Sequence, residues 1–257
     1  MLSEGSTGPD TRWSRPIRAG VLCVGLSALG PAAGARSALA LAQSVRELDS
    51  GRFEIRVHDR KVGTETFAIR REGTRVRAVG RITVDTAAGG PISEDVRLQA
   101  NAVFRPNGYA LRSTSGPIHE IDGVWNGNRL RLHISSDEGE RWKEFLTRGR
   151  VAVLERGVAH HFFLFFRQLA GTAAVGSRVP VIVPSRNLKA TAIVRERREG
   201  SVVMGGSERK AVRFEVEVAG VRNLVWLGDR GRVLQVATPS EGRVAIRLPE
   251  EGAGGLP

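Results

Sequence analysis

From Gly51 onward the apolar residues of this chain recur at every second position, and that period limits its folds more than any other feature. Phe53, Ile55 and Val57 alternate with Glu54, Arg56 and His58, and after a turn at Lys61-Val62-Gly63 the pattern resumes through Phe67 and Ile69 to Arg70. A strand sends successive side chains to opposite faces, so such a segment buries one face and wets the other. Val76, Ala78, Ile82 and Val84 come next, then Val96, Leu98, Ala100, Ala102 and Phe104, then Tyr109, Leu111 and Ser113. Arg71-Glu72-Gly73, Gly89-Gly90-Pro91 and Pro106-Asn107-Gly108 supply turns between them. The pattern predicts a β-meander with one dry face.

The middle of the chain keeps the same rhythm and then breaks it once. Gly123 to Trp125, an Asn126-Gly127 turn and Arg129 to Ile134 read as a tight hairpin, from which Phe145, Val151, Val153 and Leu154 lead onward. The segment from Val158 to Ala170 has no alternation and is bracketed by Gly157 and Gly171. Phe162, Phe165, Phe166 and Leu169 stand at helical spacing on one stripe, while His160, Phe163 and Arg167 fall on another. We read one helix at about 158–170; it carries four of the nine phenylalanines and is expected to plug the fold.

Short strands follow at Arg178 to Val183, Ala190 to Arg195, Val212 to Val218, Asn223 to Leu227, Arg232 to Ala237 and Arg243 to Leu248. No helical pattern lies between them, so a parallel βαβ architecture is not expected. The fold class is mainly β and antiparallel, with one central aromatic helix in a single domain over residues 43–249. Residues 250–257, rich in Gly and Pro, are expected to be disordered.

Ahead of the domain, Arg12, Arg15 and Arg18 precede a short apolar run, Ala19 to Leu29, and a small-residue stretch, Pro31 to Ala42. That order is the pattern of a signal peptide over residues 1–42, with cleavage sites after Ala35, Ala40 or Ala42. An extracytoplasmic location follows, in the periplasm or cell envelope or by full secretion. The single cysteine, Cys23, lies inside the leader, so the domain is expected to have no disulfide and no thiolate chemistry. The chain carries a net charge of +12, and the leader accounts for only four arginines and two acids of that balance. A surface so basic attracts polyanions, and the arrangement lacks the recognition helix or stacking platform that nucleic-acid binding uses. An anionic envelope surface is therefore the expected macromolecular partner, and nucleic acid is not.

The residue pattern offers little chemistry. His58, His119, His133, His160 and His161 form no metal-ligand spacing, and neighbouring His160 and His161 would point about 100° apart on a helix. No nucleophile elbow or phosphate-cradling loop is present, and Ser185-Arg186-Asn187-Leu188 is a polar loop of unassigned purpose. No catalytic residue, metal or cofactor is assigned. The aromatics carry more information: Trp125, Trp142, Trp226 and the helix phenylalanines are large apolar surfaces, which serve either as plain core or as the lining of a groove. Phe163, off the main stripe beside His160 and Arg167, implies cover from a second layer, a ligand or a partner.

Three landmarks together resemble a family of bacterial exported proteins defined only as a domain of unknown function. They are the strand–turn segment Lys61-Val62-Gly63-Thr64-Glu65-Thr66-Phe67, the aromatic helix introduced by His160-His161-Phe162-Phe163, and the closing segment Leu224 to Leu234 with its Gly228-Asp229-Arg230-Gly231 turn. The resemblance covers about Gly51 to Leu248. It implies a strongly curved antiparallel sheet, an incomplete barrel around a helix, similar to the half-barrels of envelope lipoprotein carriers and periplasmic lipid-binding proteins. It supplies no catalytic residues. The expectation is a non-catalytic module that holds a hydrophobic or lipid-like molecule with Phe162, Phe163, Phe165, Phe166 and Trp226, and meets an anionic headgroup with Arg167 and Arg186. The alternative is a scaffold with a fully packed core that associates with anionic envelope components.

Overall fold

The computed structural model describes residues 45–86, 90–115, 117, 119–169 and 173–249. The predicted leader with its cleavage sites and Cys23, the predicted tail at 250–257, and the Ala170-Gly171 helix boundary lie outside the described residues.

Eight strands follow one another in the first half: β1 (Val45–Val57), β2 (Arg60–Glu72), β3 (Arg75–Thr86), β4 (Gly90–Asn101), β5 (Pro106–Ser115), β6 (His119–Asn126), β7 (Arg129–Ser136) and β8 (Gly139–Leu146). After the two-residue β9 (Ala152–Val153) comes the helix α1 (His161–Gln168). The second half comprises β10 (Arg178–Val183), β11 (Leu188–Met204), β12 (Ser207–Val218), β13 (Val221–Leu227), β14 (Val233–Thr238) and β15 (Arg243–Arg247). All fifteen strands form one sheet in the order β8 to β1, then β15 to β9. Neighbours are antiparallel except β9 and β10, which pair in parallel at two positions. The fold is mainly β, a large curved sheet whose end strands β8 and β9 do not pair with each other.

The curvature is visible in what meets across the interior. Tyr109 on β5 and Ser185, just after β10, lie in opposite wings of the strand order, yet both hydrogen-bond the same carboxyl group, that of Glu155. Lys189 at the start of β11 likewise donates to the carbonyl of Leu146 at the end of β8, 2.6 Å away. A flat sheet of fifteen strands, each spaced about 4.8 Å from the next, could bring neither pair together.

The dry face follows the sequence period. In β3, Val76, Ala78 and Ile82 are buried while Arg75, Arg77 and Arg81 are exposed. Burying this face supplies the main stabilisation, about 25 cal/mol per Å² of apolar surface. Where β1 meets β15, Arg247 donates to both carboxylate oxygens of Asp49 at 2.8 and 3.0 Å, with both residues almost wholly buried. The Arg247 guanidinium also stacks 5.4 Å from the Phe67 ring centroid. This two-point geometry keeps a buried charge pair satisfied at the join between the two wings.

Two segments depart from the sequence pattern. The strand β8 was not separately foreseen, because Gly139-Glu-Arg-Trp-Lys-Glu-Phe-Leu146 buries only Phe145 and carries charge at both parities. The hairpin β11–β12 is far longer than the alternating runs within it; residues 198–201 and 205–210 are exposed, with Val202 buried between them. The helix is shorter than expected, eight residues in place of about twelve. It starts late because the backbone N–H groups of Ala159 and His160 are bonded to a side chain of β2 instead of joining a first turn.

The turn expected at Lys61-Val62-Gly63 falls instead at His58-Asp59, both with positive φ, and Gly63 lies inside β2, where a Cβ would sit 2.1 Å from the backbone oxygen of Thr83. Gly63→Ala is therefore expected to push β2 from β3 and lower the unfolding free energy by about 3 kcal/mol, measured by urea denaturation.

Candidate functional site

The interior polar groups gather around the N-terminal end of α1. Glu65 has the parity of Phe67 and Ile69 on β2, so its side chain enters the dry face and is completely buried. Its two oxygens accept from Ala159 N at 2.8 Å, His160 N at 2.9 Å and His160 Nδ1 at 2.7 Å. The carboxylate takes the place of a helix-capping side chain, which α1 lacks, and satisfies donors that would otherwise be orphaned in the core. His160 stacks flat on Phe67, ring centroids 5.5 Å apart, and a Cβ on Gly80 would come within 2.6 Å of its Cε1.

A second buried carboxyl lies beside the first cluster. Glu155 accepts from Tyr109 Oη at 2.8 Å, Ser185 N at 3.0 Å, Arg156 N at 2.8 Å and the Ser185 hydroxyl. Burial pushes its pKa above the ordinary carboxylate range, and burial together with the Glu155 charge raises Tyr109 well above that of a free phenol. The backbone N–H of Glu155 donates to His161 Nδ1 at 3.1 Å, which leaves the ring proton on Nε2. Burial, with His160 as neighbour, holds the pKa of His161 well below the ordinary histidine value. Both imidazoles are wholly buried, T-shaped at 4.8 Å, and their Nε2 atoms have no partner among the described residues. Among the described residues no group of three or more His, Cys, Asp or Glu is arranged to hold a metal ion.

Next to this network a pocket opens between the start of α1 and strands β10 to β15. Its walls are apolar, with Leu154, Val158, Phe162, Val183, Val218 and Val236 among them. Glu155, Asn223 and Thr238 supply polar points, and Arg156, Arg186, Glu241 and Arg243 complete the lining. Arg156 pairs with Glu241 at 3.0 Å, and Arg243 donates to the Gly157 carbonyl at 2.8 Å. The free interior is about 80 Å³, below the 300–1,000 Å³ usual for a drug-sized ligand.

The residues singled out in the sequence are dispersed by the fold. Phe162 and Arg186 do meet, on the wall and mouth of this pocket. Phe165 and Phe166 are core; Phe166 packs 4.7 Å from the Phe214 ring. Phe163 is covered by a second protein layer, the edge of Phe104 at 6.4 Å and the Arg167 guanidinium at 5.3 Å. Arg167 lies at the other end of α1, away from Arg186. Trp226 faces away from the helix: it alternates with the buried Val225 and Leu227 and stands opposite Arg213 and Gln235 in the sheet. The groove expected along the helix is thus filled by side chains over its middle, and the pocket beside Phe162 opens at its N-terminal end. Glu65, Glu155 and Tyr109 were not singled out as site residues, although each is a polar group at a dry-face position or beside the helix start.

Fold and site define a curved, incompletely closed antiparallel sheet around one buried helix, with a small amphipathic pocket at the start of that helix. No family model matches the chain, and no curated protein matches it. Among solved structures it is similar to a β-barrel-like protein of a domain of unknown function, DUF1849, from Brucella abortus, at 10% identity over 77% of this chain and 94% of that one, with a TM-score of 0.49. At that distance no activity passes from one protein to the other, and the fold stands on the strand pairing described above.

Glu65→Ala leaves three buried donors without an acceptor and is expected to cost about 3–5 kcal/mol in urea denaturation, with Glu65→Gln losing less. For His161, whose folded pKa is depressed, the stabilisation is present above about pH 6.5 and lost as pH falls below it, at up to about 1.4 kcal/mol per pH unit. Glu155 acts with the opposite sign, its contribution being lost as pH rises through its raised value. Unfolding free energies between pH 7 and 5 should therefore fall less steeply, or rise, in His161→Gln than in the unsubstituted protein.

Proposed function

We propose that the protein is an extracytoplasmic, non-catalytic binding module that receives the apolar end of a small amphipathic molecule in the pocket beside Phe162. The observation that carries this reading is an apolar pocket with two arginines at its lining, Arg186 and Arg243, for which no carboxylate lies within salt-bridge distance among the described residues. An anionic head at that mouth would meet charge, while the tail replaced water on Leu154, Val158 and Val236. The volume favours a short chain or a chain end over a whole lipid. Burial of both interior histidines, and the engagement of the Ser185 hydroxyl by a carboxyl in place of an imidazole, support a binding role over hydrolysis. The leader-like N-terminal sequence supports the location.

A packed scaffold is the second reading. It is favoured by the near-complete burial of Phe163, Phe165 and Leu169, which fills most of the groove.

Native and denaturing mass spectra of the protein recovered from the extracytoplasmic fraction of a bacterial host, followed by titration with octanoate, separate the two. A module should show an adduct lost on denaturation or bind octanoate, and Val236→Phe, which fills the pocket, should abolish both with little change in melting temperature. A clean apo mass and no octanoate binding would leave the scaffold.

A further inference from the structure

A second concavity opens at the opposite end of α1, with about 440 Å³ of free space. Arg105, Arg150 and Arg167 line it around Phe104, and no acidic residue does. A fourth arginine, Arg71, stacks 5.4 Å above the Phe104 ring, which Arg167 also approaches at 5.6 Å. Among the described residues none of the four has a carboxylate within 4.0 Å. Arg71 and Arg105 donate only to neutral oxygens, Ala102 O and Asn128 Oδ1, each at 3.1 Å. The Nε atom of Arg167 is buried and has no acceptor among the described residues.

Bringing three guanidinium groups to one concavity, with a fourth close to its Phe104 wall and no counter-charge, is unfavourable unless something anionic completes it. Position in the last turn of a helix, where carbonyl ends attract cations, accounts for Arg167 and not for the other three. The aromatic stacking supplies the second half of the argument. It holds the Arg71 and Arg167 guanidinium groups beside the Phe104 ring, 5.4 and 5.6 Å from its centroid, and a guanidinium held by an aromatic ring can still donate N–H groups to an oxyanion. Phe104 is itself fixed: its backbone takes φ 61°, and the turn is tied by Phe104 N to Asn101 O at 2.9 Å and Arg105 N to Asn101 Oδ1 at 2.9 Å.

We propose that this concavity binds a phosphate-bearing group, with Arg105 and Arg150 meeting it at the mouth and Arg167 donating from the floor. A phosphate monoester or diester offers several oxygens to converging guanidinium groups, more than a single carboxylate can. The site does not depend on a ligand in the Phe162 pocket at the other end of the helix, and either can fail without the other.

The test is calorimetric titration with inorganic phosphate at low ionic strength, run beside co-sedimentation with vesicles of phosphatidylglycerol and, as control, of phosphatidylcholine. The proteins are the unsubstituted chain, the double variant Arg105→Ala/Arg150→Ala, and Arg209→Ala, which removes an exposed arginine of β12 outside the cluster. Binding of either phosphate probe should weaken at least tenfold in the double variant and stay unchanged in Arg209→Ala. Calorimetric binding assigns a free phosphate-bearing solute, whereas binding to phosphatidylglycerol vesicles alone assigns a headgroup. Should the double variant melt early, Arg150→Ala, at an exposed position, gives the same reading with a smaller loss. Absence of binding to both probes, or equal weakening in Arg209→Ala and the double variant, overturns the proposal; octanoate binding should be the same in all three proteins.

Discussion

A single carboxylate, that of Glu65, joins the sheet to the helix it surrounds. A carboxyl group deprived of water is tolerated only where hydrogen bonds replace its hydration, and here Ala159 and His160 supply them. The partnership explains several features at once. It sets where α1 begins, it holds His160 flat against Phe67, and it requires a glycine at position 80 to leave room for the imidazole. With the helix start pinned, Phe163 and Phe166 can occupy fixed slots against Phe104 and Phe214. The rest of the core packs around an element that could not hold its own first turn without this cap.

What the sequence disclosed, and what it hid, follows from the same period-two rule. Much of β1 to β5 was legible because apolar residues mostly hold one parity, although the alternation missed residues 45–50 of β1, ran past the end of β4 to Phe104, and took Pro106-Asn107-Gly108, the start of β5, for a turn. The rule failed for β8, whose charges fall on both faces, and for the outer part of the β11–β12 hairpin, which contributes little beyond Val202 and Ala211 to any buried layer. It was also under-used. Glu65 stands at the parity of Phe67 and Ile69, so a charged residue on a dry face was readable as a buried group in need of partners. Which partners it had was not, because Ala159 and His160 are more than ninety positions away. Trp226 shows the converse: in Leu224-Val225-Trp226-Leu227 four apolar residues in a row conceal which parity points inward.

Arginine serves three distinct purposes in this molecule. On the outer face it pairs across strands, as Arg81 does with Asp95 and Arg195 with Glu217, and such exposed pairs add little to stability. At the seam, Arg247 is buried and answered by Asp49. Around Phe104 it is stacked on an aromatic ring and answered by no acid among the described residues. The composition alone, basic throughout, does not separate these uses; the environment of each guanidinium does.

The sheet is joined at its middle by the pairing of β1 with β15, strands from the two ends of the domain, and Asp49 and Arg247 at that seam are 198 positions apart. Contacts of such long range form only after most of the loop-closure entropy has been spent. Each wing before that moment offers an open strand edge, that of β1 on one side and of β15 on the other, and an unclosed edge is where chains pair with the wrong partner. Folding of this domain is therefore slow by topology, and it is complete only when β15 has paired with β1.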